Sequence, residues 1–246
     1  MFPIYARLDG KSFSKFTKGM KKPFDDSFYE MMHEVTKVLI EETDAKLGYF
    51  QSDEISLYWD NKKTSQEDMM FKGRKEKWVG ELSSLATSVI TQQCMEKFPD
   101  RVHHLPRFDC RVMNVLDDVG AKFFLWRQLD CIKNSISVIS SSQFSHKKLQ
   151  NVSTKKRREM LHNIGDPWEK YPGAYRLGTF MTKVKRLMEI DKSHIPIEYH
   201  HKVPDEAIRN VIESYVYPYL QNIDNVADVL NHERMKQYNI EKIENI

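Results

Sequence analysis

Apolar positions along the first half of the chain follow two patterns, alternation and helical spacing, and each pattern predicts a kind of element. Alternation and short apolar runs predict strands, whereas spacings of three and four residues predict helices. The predicted strands are residues 4–8, 47–50, 55–59 and 108–116. The predicted helices are one that starts at Asp26 and one that covers residues 79–89. The resulting order of elements is β-α-β-β-α-β.

This order is that of the ferredoxin-like fold, and polymerase palm domains have the same arrangement. In it, the end of the first strand lies beside the turn between the second and third strands. The order therefore predicts an α+β fold with a ferredoxin-like, polymerase-type palm. It also predicts that Asp9 and Asp53 lie close together, although they are far apart in the sequence.

The second half of the chain has longer stretches of helical spacing. The predicted helices are residues 121–142 and 154–164, and residues 175–188 indicate a returning strand. Trp126 continues the apolar pattern of the first helix and is interpreted as a core residue, with stacking on a base as the alternative. The residues after about 206 show helical patches, and residues 241–246 indicate loose order. We divide the chain into a palm-like region of residues 1–134 and a mainly helical region of residues 135–246, which includes the C-terminus and packs with the first as one compact unit; the family resemblance described below implies that the first is catalytic and that the second contains the fingers.

Composition and the N-terminal sequence bear on where the protein acts. The chain has 246 residues, of which 40% are hydrophobic, enough for a sizeable core. It contains no run of about 18 apolar residues, and its first nine residues lack the basic and apolar regions of a secretory signal. The three cysteines are odd in number and far apart, as is typical of buried thiols in a reducing compartment. We therefore expect a cytoplasmic protein without a membrane partner.

The formal net charge is only +3, but the positive charge is unevenly distributed. The segment from Ser145 to Arg158 contains no acidic residue. Its cations are Lys147, Lys148, Lys155, Lys156, Arg157 and Arg158. Such a cluster fits a phosphate-rich partner such as RNA, and the alternative is a solvated helix face.

Asp9 and Asp53 have the chemistry that phosphoryl transfer needs. Two divalent ions about 3.5–4 Å apart commonly supply the positive charge for that reaction, and magnesium accepts carboxylates, carbonyls and water as ligands. The backbone amides from Lys11 to Ser14 provide donors for phosphate oxygens, and Lys22 provides a cation. Two aspartates in turns are also common as turn formers, and the pair alone does not separate a polymerase from a nucleotide cyclase.

Several segments together resemble the tRNA-histidine guanylyltransferase family, in order and spacing as well as in content, from residue 4 to about residue 190. They are Arg7-Leu8-Asp9-Gly10-Lys11-Ser12-Phe13, Lys22-Pro23-Phe24-Asp25, Gln51-Ser52-Asp53-Glu54, Trp126-Arg127-Gln128-Leu129-Asp130 and Tyr171-Pro172-Gly173-Ala174-Tyr175-Arg176-Leu177-Gly178-Thr179. The resemblance implies a polymerase-like palm with helical fingers that adds nucleotides in the 3′-to-5′ direction.

The resemblance also implies roles for individual residues. Asp9, the Gly10 carbonyl and Asp53 would bind two magnesium ions, and Glu54 would support them as a further catalytic residue. The implied nucleotide-binding residues are Asp9, Gly10, Lys11, Ser12, Phe13, Ser14, Lys22, Asp25, Ser52 and Asp53. The implied tRNA- and phosphate-binding residues are Arg74, Lys77, Arg127 and Asn134, together with the cations of residues 145–158. For Arg74 and Lys77 a solvated helix face is an equal alternative.

One segment departs from the family pattern. Eukaryotic members that add guanosine to tRNA-histidine have His-Ile-Asn-Asn-Leu-Tyr-Asn where this chain has residues 132–138, and Asn134 is retained. The segment is more similar to the guanylyltransferase-like branch of bacteria, archaea and phages, which is associated with template-dependent repair of tRNA 5′ ends. The resemblance thus implies activation of the 5′-phosphate with ATP or GTP, then addition of a nucleotide. It also implies a homo-tetramer.

Two other functions use the same residues differently. A nucleotide cyclase would need both aspartates without RNA, and the basic segment argues against it. A non-catalytic RNA-binding module of ferredoxin-like fold would stack bases on the sheet and would not need paired acidic turns.

Overall fold

An antiparallel sheet of seven strands lies at the centre of the computed structural model, which describes residues 2–61, 65 and 67–244 apart from the side chain of Val102. In chain order the strands are β1 (Ile4–Lys11), β2 (Leu47–Gln51), β3 (Glu54–Trp59), β4 (Arg107–Asn114), β5 (Thr179–Glu189), β6 (Glu206–Val216) and β7 (Glu241–Ile243). Their order in the sheet is β4-β1-β3-β2-β5-β6-β7, and every neighbouring pair is antiparallel.

Helices cover both faces of this sheet. The α-helices are α1 (Phe13–Phe16), α2 (Asp26–Thr43), α3 (Lys75–Lys97), α4 (Asp117–Gln143), α5 (His146–Leu149), α6 (Thr154–Asn163), α7 (Gly173–Leu177) and α8 (His232–Met235). Short 3-10 helices are Met70–Gly73, Pro99–His104, Trp168–Lys170, Ile197–Lys202, Leu220–Asn222 and Val226–Leu230.

The alternation of side chains along β1 separates two hydrophobic cores. Ala6 and Leu8 point to the face that α2 and α3 cover, where they pack with residues such as Met31 and Leu82. Tyr5 points to the opposite face and packs with Phe124 of α4. Strand β1 is hydrogen-bonded on both sides, to β3 and β4, so it is an interior strand of the sheet. Its two faces contribute side chains to the two cores.

The elements predicted for the first half of the chain are present. Residues 4–114 contain strands and helices in the order β-α-β-β-α-β, with the single turn α1 added after β1. The mixed α/β fold with an antiparallel sheet is thus confirmed. The predicted helices of residues 121–142 and 154–164 correspond to α4 and α6, and the predicted returning strand is β5.

The end of the chain differs from the prediction. Residues 206–216 form β6, although Ile208, Val211 and Ile212 have helical spacing, because the whole segment pairs with β5. The predicted loose end includes β7, which pairs with the last residues of β6. Residues 135–246 therefore extend the sheet as well as supplying helices. The predicted division after residue 134 passes through the middle of α4.

Two further expectations concern exposure. Trp126 is 55% exposed, so its assignment to the core was wrong: Phe124, Arg127 and Cys131 form the buried side of α4, and Trp126 lies on its outer side. Cys94 and Cys131 are buried free thiols and Cys110 is partly buried, as expected from the cysteine pattern. In the part of the chain that is described, no helix has the length and hydrophobicity needed to cross a membrane.

Candidate active site

Asp9 and Asp53 are brought together by strand register. Asp9 on β1 lies directly opposite Glu54, the first residue of β3, and the Gly10 amide donates a hydrogen bond of 3.0 Å to the carbonyl oxygen of Asp53. The turn between β2 and β3 contains Ser52 in the left-handed backbone region, with a φ of 50°. The two aspartates therefore lie at one edge of the sheet, as the order of elements predicted.

Gly10 is required by the close approach of β1 to this turn. A Cβ atom at this position would lie 2.5 Å from the ring of Phe13 and 2.8 Å from the Cβ of Asp53. Both distances are shorter than side-chain carbons tolerate, so a larger residue would push the two aspartates apart. Glycine also leaves the local backbone accessible to a ligand.

The carboxylates of this site repel one another. Burial, together with the negative charge of Asp9, raises the pKa of Asp53 above the usual value for aspartate. The side chain of Asp9 is 45% exposed and lies 3.5 Å from a guanidinium nitrogen of Arg7. A cation bound between the two aspartates would reduce the repulsion.

Glu54 is a buried carboxylate held by two arginines. Its Oε2 lies 3.0 Å from Arg7 and accepts a hydrogen bond of 2.7 Å from Arg127, whose other nitrogen donates to Asp130 at 2.5 Å. Burial raises the pKa of Glu54, although both guanidinium groups act in the opposite direction. Within the described chain, Glu54 Oε1, Arg7 Nε and Arg127 Nε are buried without a hydrogen-bond partner. This pattern is typical of a site that completes its bonds with a ligand or water.

The oxygen atoms of this edge fit magnesium. The described residues contain no cluster of three or more histidine, cysteine or acidic side chains arranged for a metal. Magnesium does not need such a cluster, because it keeps several waters and binds one or two carboxylates. Asp9, the Gly10 carbonyl and Asp53 offer oxygen ligands only, which suits a hard cation.

A cavity of about 420 Å³ opens next to this edge, a size that accommodates a small-molecule ligand. Its wall is built from the loop before α2, the β2–β3 turn, α4 and α7. Among the residues implied to bind nucleotide or tRNA, it includes Lys22, Asp25, Ser52 and Asn134. The segment that departs from the family pattern is also part of the wall, through Asn134, Ser135, Ser137 and Val138.

Aromatic rings form one side of the cavity. Phe24 and Tyr175 are stacked, with ring centroids 4.5 Å apart and planes inclined by 6°. The hydroxyl of Tyr175 donates a hydrogen bond of 2.6 Å to Asp26. Asp25 has a structural role here, because its carboxylate accepts hydrogen bonds from the backbone amides of Phe28 and Lys21, capping α2.

The loop after Gly10 divides between surface and core. Lys11, Ser12 and Ser14 are exposed, and Ser12 has a φ of 61°. Phe13 is 3% exposed and packs against Phe108, with ring centroids 5.2 Å apart. The Phe13 side chain therefore belongs to the core, which leaves only the backbone of this residue for the nucleotide-binding role that the resemblance implies.

The cations of residues 145–158 lie on α5 and α6 in different environments. Lys147, Lys148 and Lys155 are exposed. Arg157 donates hydrogen bonds to the carbonyl oxygens of Val152 and Leu149. The last cation, Arg158, forms an ion pair with Glu169 and lies over the ring of Trp168. Lys156 forms an ion pair of 3.0 Å with Glu159, so Lys147, Lys148 and Lys155 are more available to a partner than the other cations of the segment.

Arg74 and Lys77 lie far from the aspartates of their own chain. They flank the start of α3, where Trp78 packs on Trp59, with ring centroids 4.7 Å apart. Trp59 is at the opposite end of β3 from Glu54, which is about 17 Å away at the rise of an extended strand. Folding within one chain does not bring these two cations to the carboxylates.

Some residues of the site lie in the segments that resemble the family but were given no role from the sequence. Arg7 holds Glu54 and lies beside Asp9, and its position two residues before Asp9 on a predicted strand is the signal that places both on one face. Phe24 and Gln51 also line the cavity. Neither has a local pattern that indicates a cavity, because the cavity forms between elements distant in the sequence.

Comparison with known proteins gives consistent results. A profile of the family described as tRNAHis guanylyltransferase matches residues 2–116. A tRNA(His) guanylyltransferase of Schizosaccharomyces pombe is 30% identical over 195 residues, which cover 72% of this chain and 71% of that protein. The structure of a bacterial tRNA(His) guanylyltransferase-like protein in complex with ATP matches with a TM-score of 0.74 at 26% identity, over 94% of this chain and 90% of that one. The corresponding complex with GTP has a TM-score of 0.70 at 25% identity, with the same coverage.

Proposed function

This chain belongs to the tRNA(His) guanylyltransferase family, and from that premise we infer that it is a nucleotidyltransferase acting at the 5′ end of tRNA. The observation that carries this conclusion is the meeting of Asp9 and Asp53 at one sheet edge beside a ligand-sized cavity. The two related structures hold ATP and GTP, so we take these nucleotides as substrates here.

We propose that the catalytic unit is a ferredoxin-like, polymerase-type palm, with helical fingers, that adds nucleotides in the 3′-to-5′ direction. The strand order β4-β1-β3-β2 supports the palm, because it places the end of β1 beside the β2–β3 turn. In this reaction the 5′-monophosphate is first joined to a nucleotide from ATP or GTP, releasing pyrophosphate. The 3′-hydroxyl of the incoming nucleotide then attacks the activated phosphate and displaces the activating group.

We propose that Asp9, the Gly10 carbonyl and Asp53 hold two magnesium ions. Bound there, the ions would supply positive charge to the phosphates and activate the attacking hydroxyl. The chain itself orients the substrates: the loop of residues 11–14 offers amides and hydroxyls to phosphate oxygens, and Lys22 adds a cation at the cavity. Arg7 and Arg127 form ion pairs with Glu54 and hold its side chain in place on the strand position opposite Asp9.

We propose that pairing with the opposite RNA strand selects the incoming nucleotide, as in repair of truncated tRNA. The segment that differs from the family pattern, residues 132–138, supports this proposal. It lines the cavity, and it lacks the His and Tyr residues found at these positions in the members that add guanosine to tRNA-histidine. Template pairing supplies the discrimination that a pocket for guanine alone would otherwise provide.

We further propose a homo-oligomer, with a tetramer as the expected form. The distance of Arg74 and Lys77 from the aspartates of the same chain supports it, since a second subunit could present these cations to a tRNA held at the site. The cytoplasmic location stays a prediction from the sequence.

One experiment tests the activity, the metal and the template together. A tRNA that lacks its first 5′ nucleotide carries a labelled 5′-phosphate and one of four opposing bases, and is incubated with ATP and each nucleotide in magnesium or EDTA. We expect magnesium-dependent addition of the nucleotide complementary to the opposing base, and less than about a tenth of that rate for Asp9→Ala and Asp53→Ala. Asp118→Ala, on the exposed surface of α4, is the matched control.

Each result has a distinct meaning. Equal addition of guanosine against every opposing base would exclude template selection while leaving the transferase activity intact. Full activity of either aspartate variant, or of the wild type in EDTA, would contradict the metal assignment. Circular dichroism of each variant shows that the protein is folded.

A further inference from the structure

Trp126 differs from the other tryptophans of the chain in its exposure. The protein has four, and Trp59, Trp78 and Trp168 are 4%, 2% and 0% exposed, whereas Trp126 is 55% exposed. A single exposed apolar side chain is common on protein surfaces and does not by itself indicate a site. The exposure of Trp126 indicates a site because the ring lies against Arg127 and close to the sheet face that carries Asp9.

Trp126 is adjacent in sequence to Arg127, whose guanidinium binds Glu54 at the catalytic edge. The guanidinium carbon of Arg127 is 4.7 Å from the centre of the Trp126 ring, and the same guanidinium binds Glu54, which lies opposite Asp9. Arg127 is 3% exposed, so its position is fixed by burial and by two carboxylates. The indole therefore rests against a rigid neighbour and has one side open to solvent.

The ring also borders the sheet face on which Asp9 lies. The ring of Phe123 is 6.4 Å from that of Trp126 and stacks on Tyr5, with centroids 4.8 Å apart. Tyr5 and Asp9 are separated by an even number of positions on β1, so their side chains point to the same face. Helix α4 covers Tyr5, and its Arg127 reaches Glu54 opposite Asp9, but this end of the face stays partly open because the side chain of Asp9 is 45% exposed.

The open end of the face carries cations suited to phosphates. Arg111 and Arg107 on the edge strand β4 are exposed, and they lie directly opposite Arg7 and Lys11 of β1. Opposite residues of antiparallel strands share a face, so these cations lie on the same face as Asp9. Asp109 lies between Arg107 and Arg111 on β4, directly opposite Asp9, and its carboxylate is 3.9 Å from Arg111, so this part of the face carries both cations and carboxylates. Cations together with an exposed aromatic ring are the groups that bind a nucleic acid strand through its phosphates and stacked bases.

We propose that Trp126 is a stacking platform for the terminal base at the 5′ end of the RNA substrate, with Arg107 and Arg111 contacting its phosphates. The inference rests on the proposed function, because the RNA 5′ end must reach Asp9 and Asp53 to react. Stacking would hold the end nucleotide while leaving its base identity unread, since every base has an aromatic face. Trp126 is thus a positioning residue for the RNA end.

A protein partner would use this surface differently. Leu116 and Val119 are also exposed on α4, but they lie about 10 Å or more along the helix from Trp126, away from the Asp9 end. The ring of Trp126 lies against the Arg127 guanidinium, which binds Glu54 at the catalytic edge, and near the ring of Phe123. A nucleic acid end therefore fits this position better than an apolar protein surface.

The test pairs a change in the protein with a change in the RNA. Substrates are a truncated, 5′-phosphorylated tRNA and the same RNA with an abasic residue at its 5′ end. Base–aromatic stacking is worth about 1–3 kcal/mol, so we expect Trp126→Leu to raise the KM for intact RNA about tenfold. The KM for the nucleotide should stay unchanged, and Trp126→Phe should retain most of the affinity. The abasic RNA should bind wild type and Trp126→Leu equally weakly, because either change removes the same contact.

Tryptophan fluorescence gives a second readout. Since the other three tryptophans are buried, quenching on addition of intact RNA should come from Trp126 and should disappear in Trp126→Phe. Leu116→Ala is the matched control and should leave the KM for RNA and the quenching unchanged. If Trp126→Leu leaves the KM for RNA unchanged, the stacking role is overturned. The same holds if the variant changes only the sedimentation coefficient of the protein, which would identify Trp126 as part of a contact between protein chains. The activity of the wild type separates this result from a failure of the proposed function, which would give no nucleotide addition to any tRNA.

Discussion

At the scale of single residues, Glu54 receives ion pairs from arginines on two different elements. Arg7 comes from β1 and Arg127 from α4, and the carboxylate between them is 5% exposed. Burying an ion pair has a desolvation cost, so such pairs are a poor source of stability as a whole, but removal of one partner is strongly destabilising. The arrangement fixes α4 against the catalytic edge of the sheet.

We expect Arg127→Met to lower the free energy of unfolding by about 3 kcal/mol, because Glu54 then remains buried with Arg7 alone. The double variant Glu54→Gln/Arg127→Met should regain part of this loss, since its buried side chain is uncharged. Urea denaturation of both single variants and the double variant measures the coupling. Lys122→Met, which breaks an exposed ion pair on the same helix, is the control. A loss for Arg127→Met no larger than that of the control would show that the pair does not hold the helix.

At the scale of elements, α5 and α6 show that a run of like charges is not a uniform surface. Arg157 is used to satisfy carbonyl oxygens at the turn between these helices, and Arg158 is paired with Glu169. Lys147, Lys148 and Lys155 are exposed on the same two helices. The lysines are therefore the part of this segment that we expect to contact RNA phosphates.

Replacing Lys147, Lys148 and Lys155 together by Gln should weaken tRNA binding and reduce its salt dependence. Each lost phosphate contact should lower the slope of log K against log salt by about 0.7–0.9. The contrasting variant Arg157→Gln should lower thermal stability and leave the slope close to that of the wild type, because its hydrogen bonds are internal. Binding titrations at several salt concentrations measure both slopes. An unchanged slope for the triple variant would identify the lysines as a solvated face.

At the scale of the whole molecule, β5 and β6 extend beyond the rest of the sheet as an arm, which we define as residues 183–189 and 206–213. Leu187 and Ile208 face each other across the arm and are 63% and 69% exposed. Lys185 and Glu189 lie on the same face, on either side of Leu187. A two-fold axis across the arm at Leu187 would therefore bring Glu189 of each copy against Lys185 of the other, around a shared apolar centre.

This self-complementary face predicts the behaviour of arm variants if the proposed oligomer forms through it. Lys185→Glu or Glu189→Lys alone should weaken self-association, because each places like charges together. The double swap should restore association, and Leu187→Glu should abolish it. Sedimentation velocity over a range of protein and salt concentrations measures the species present, with Lys122→Glu as the surface control. A double swap that associates no better than the single variants would exclude this interface.

The sequence by itself determined the elements of the first half of the chain and the pair of aspartates that its topology joins. Strand alternation and helical spacing depend on local side-chain order, so β1 to β4 and the helices between them follow from it. The position of Asp9 and Asp53 follows as well, because the order β-α-β-β-α-β places the end of β1 at the β2–β3 turn.

Only the tertiary structure decided which local patterns are overridden and which side chains meet. Residues 206–216 have helical spacing, yet they form β6 because hydrogen bonding with β5 along the whole segment outweighs the weak local preference. Trp126 follows a core pattern, yet it is exposed because Phe124, Arg127 and Cys131 form the buried side of α4 and Trp126 lies on the opposite side. The contact of Arg127 with Glu54 and the cavity between α4, α7 and the β2–β3 turn join residues distant in the sequence. Such contacts depend on how elements pack, and packing geometry is not encoded in the period of any single element.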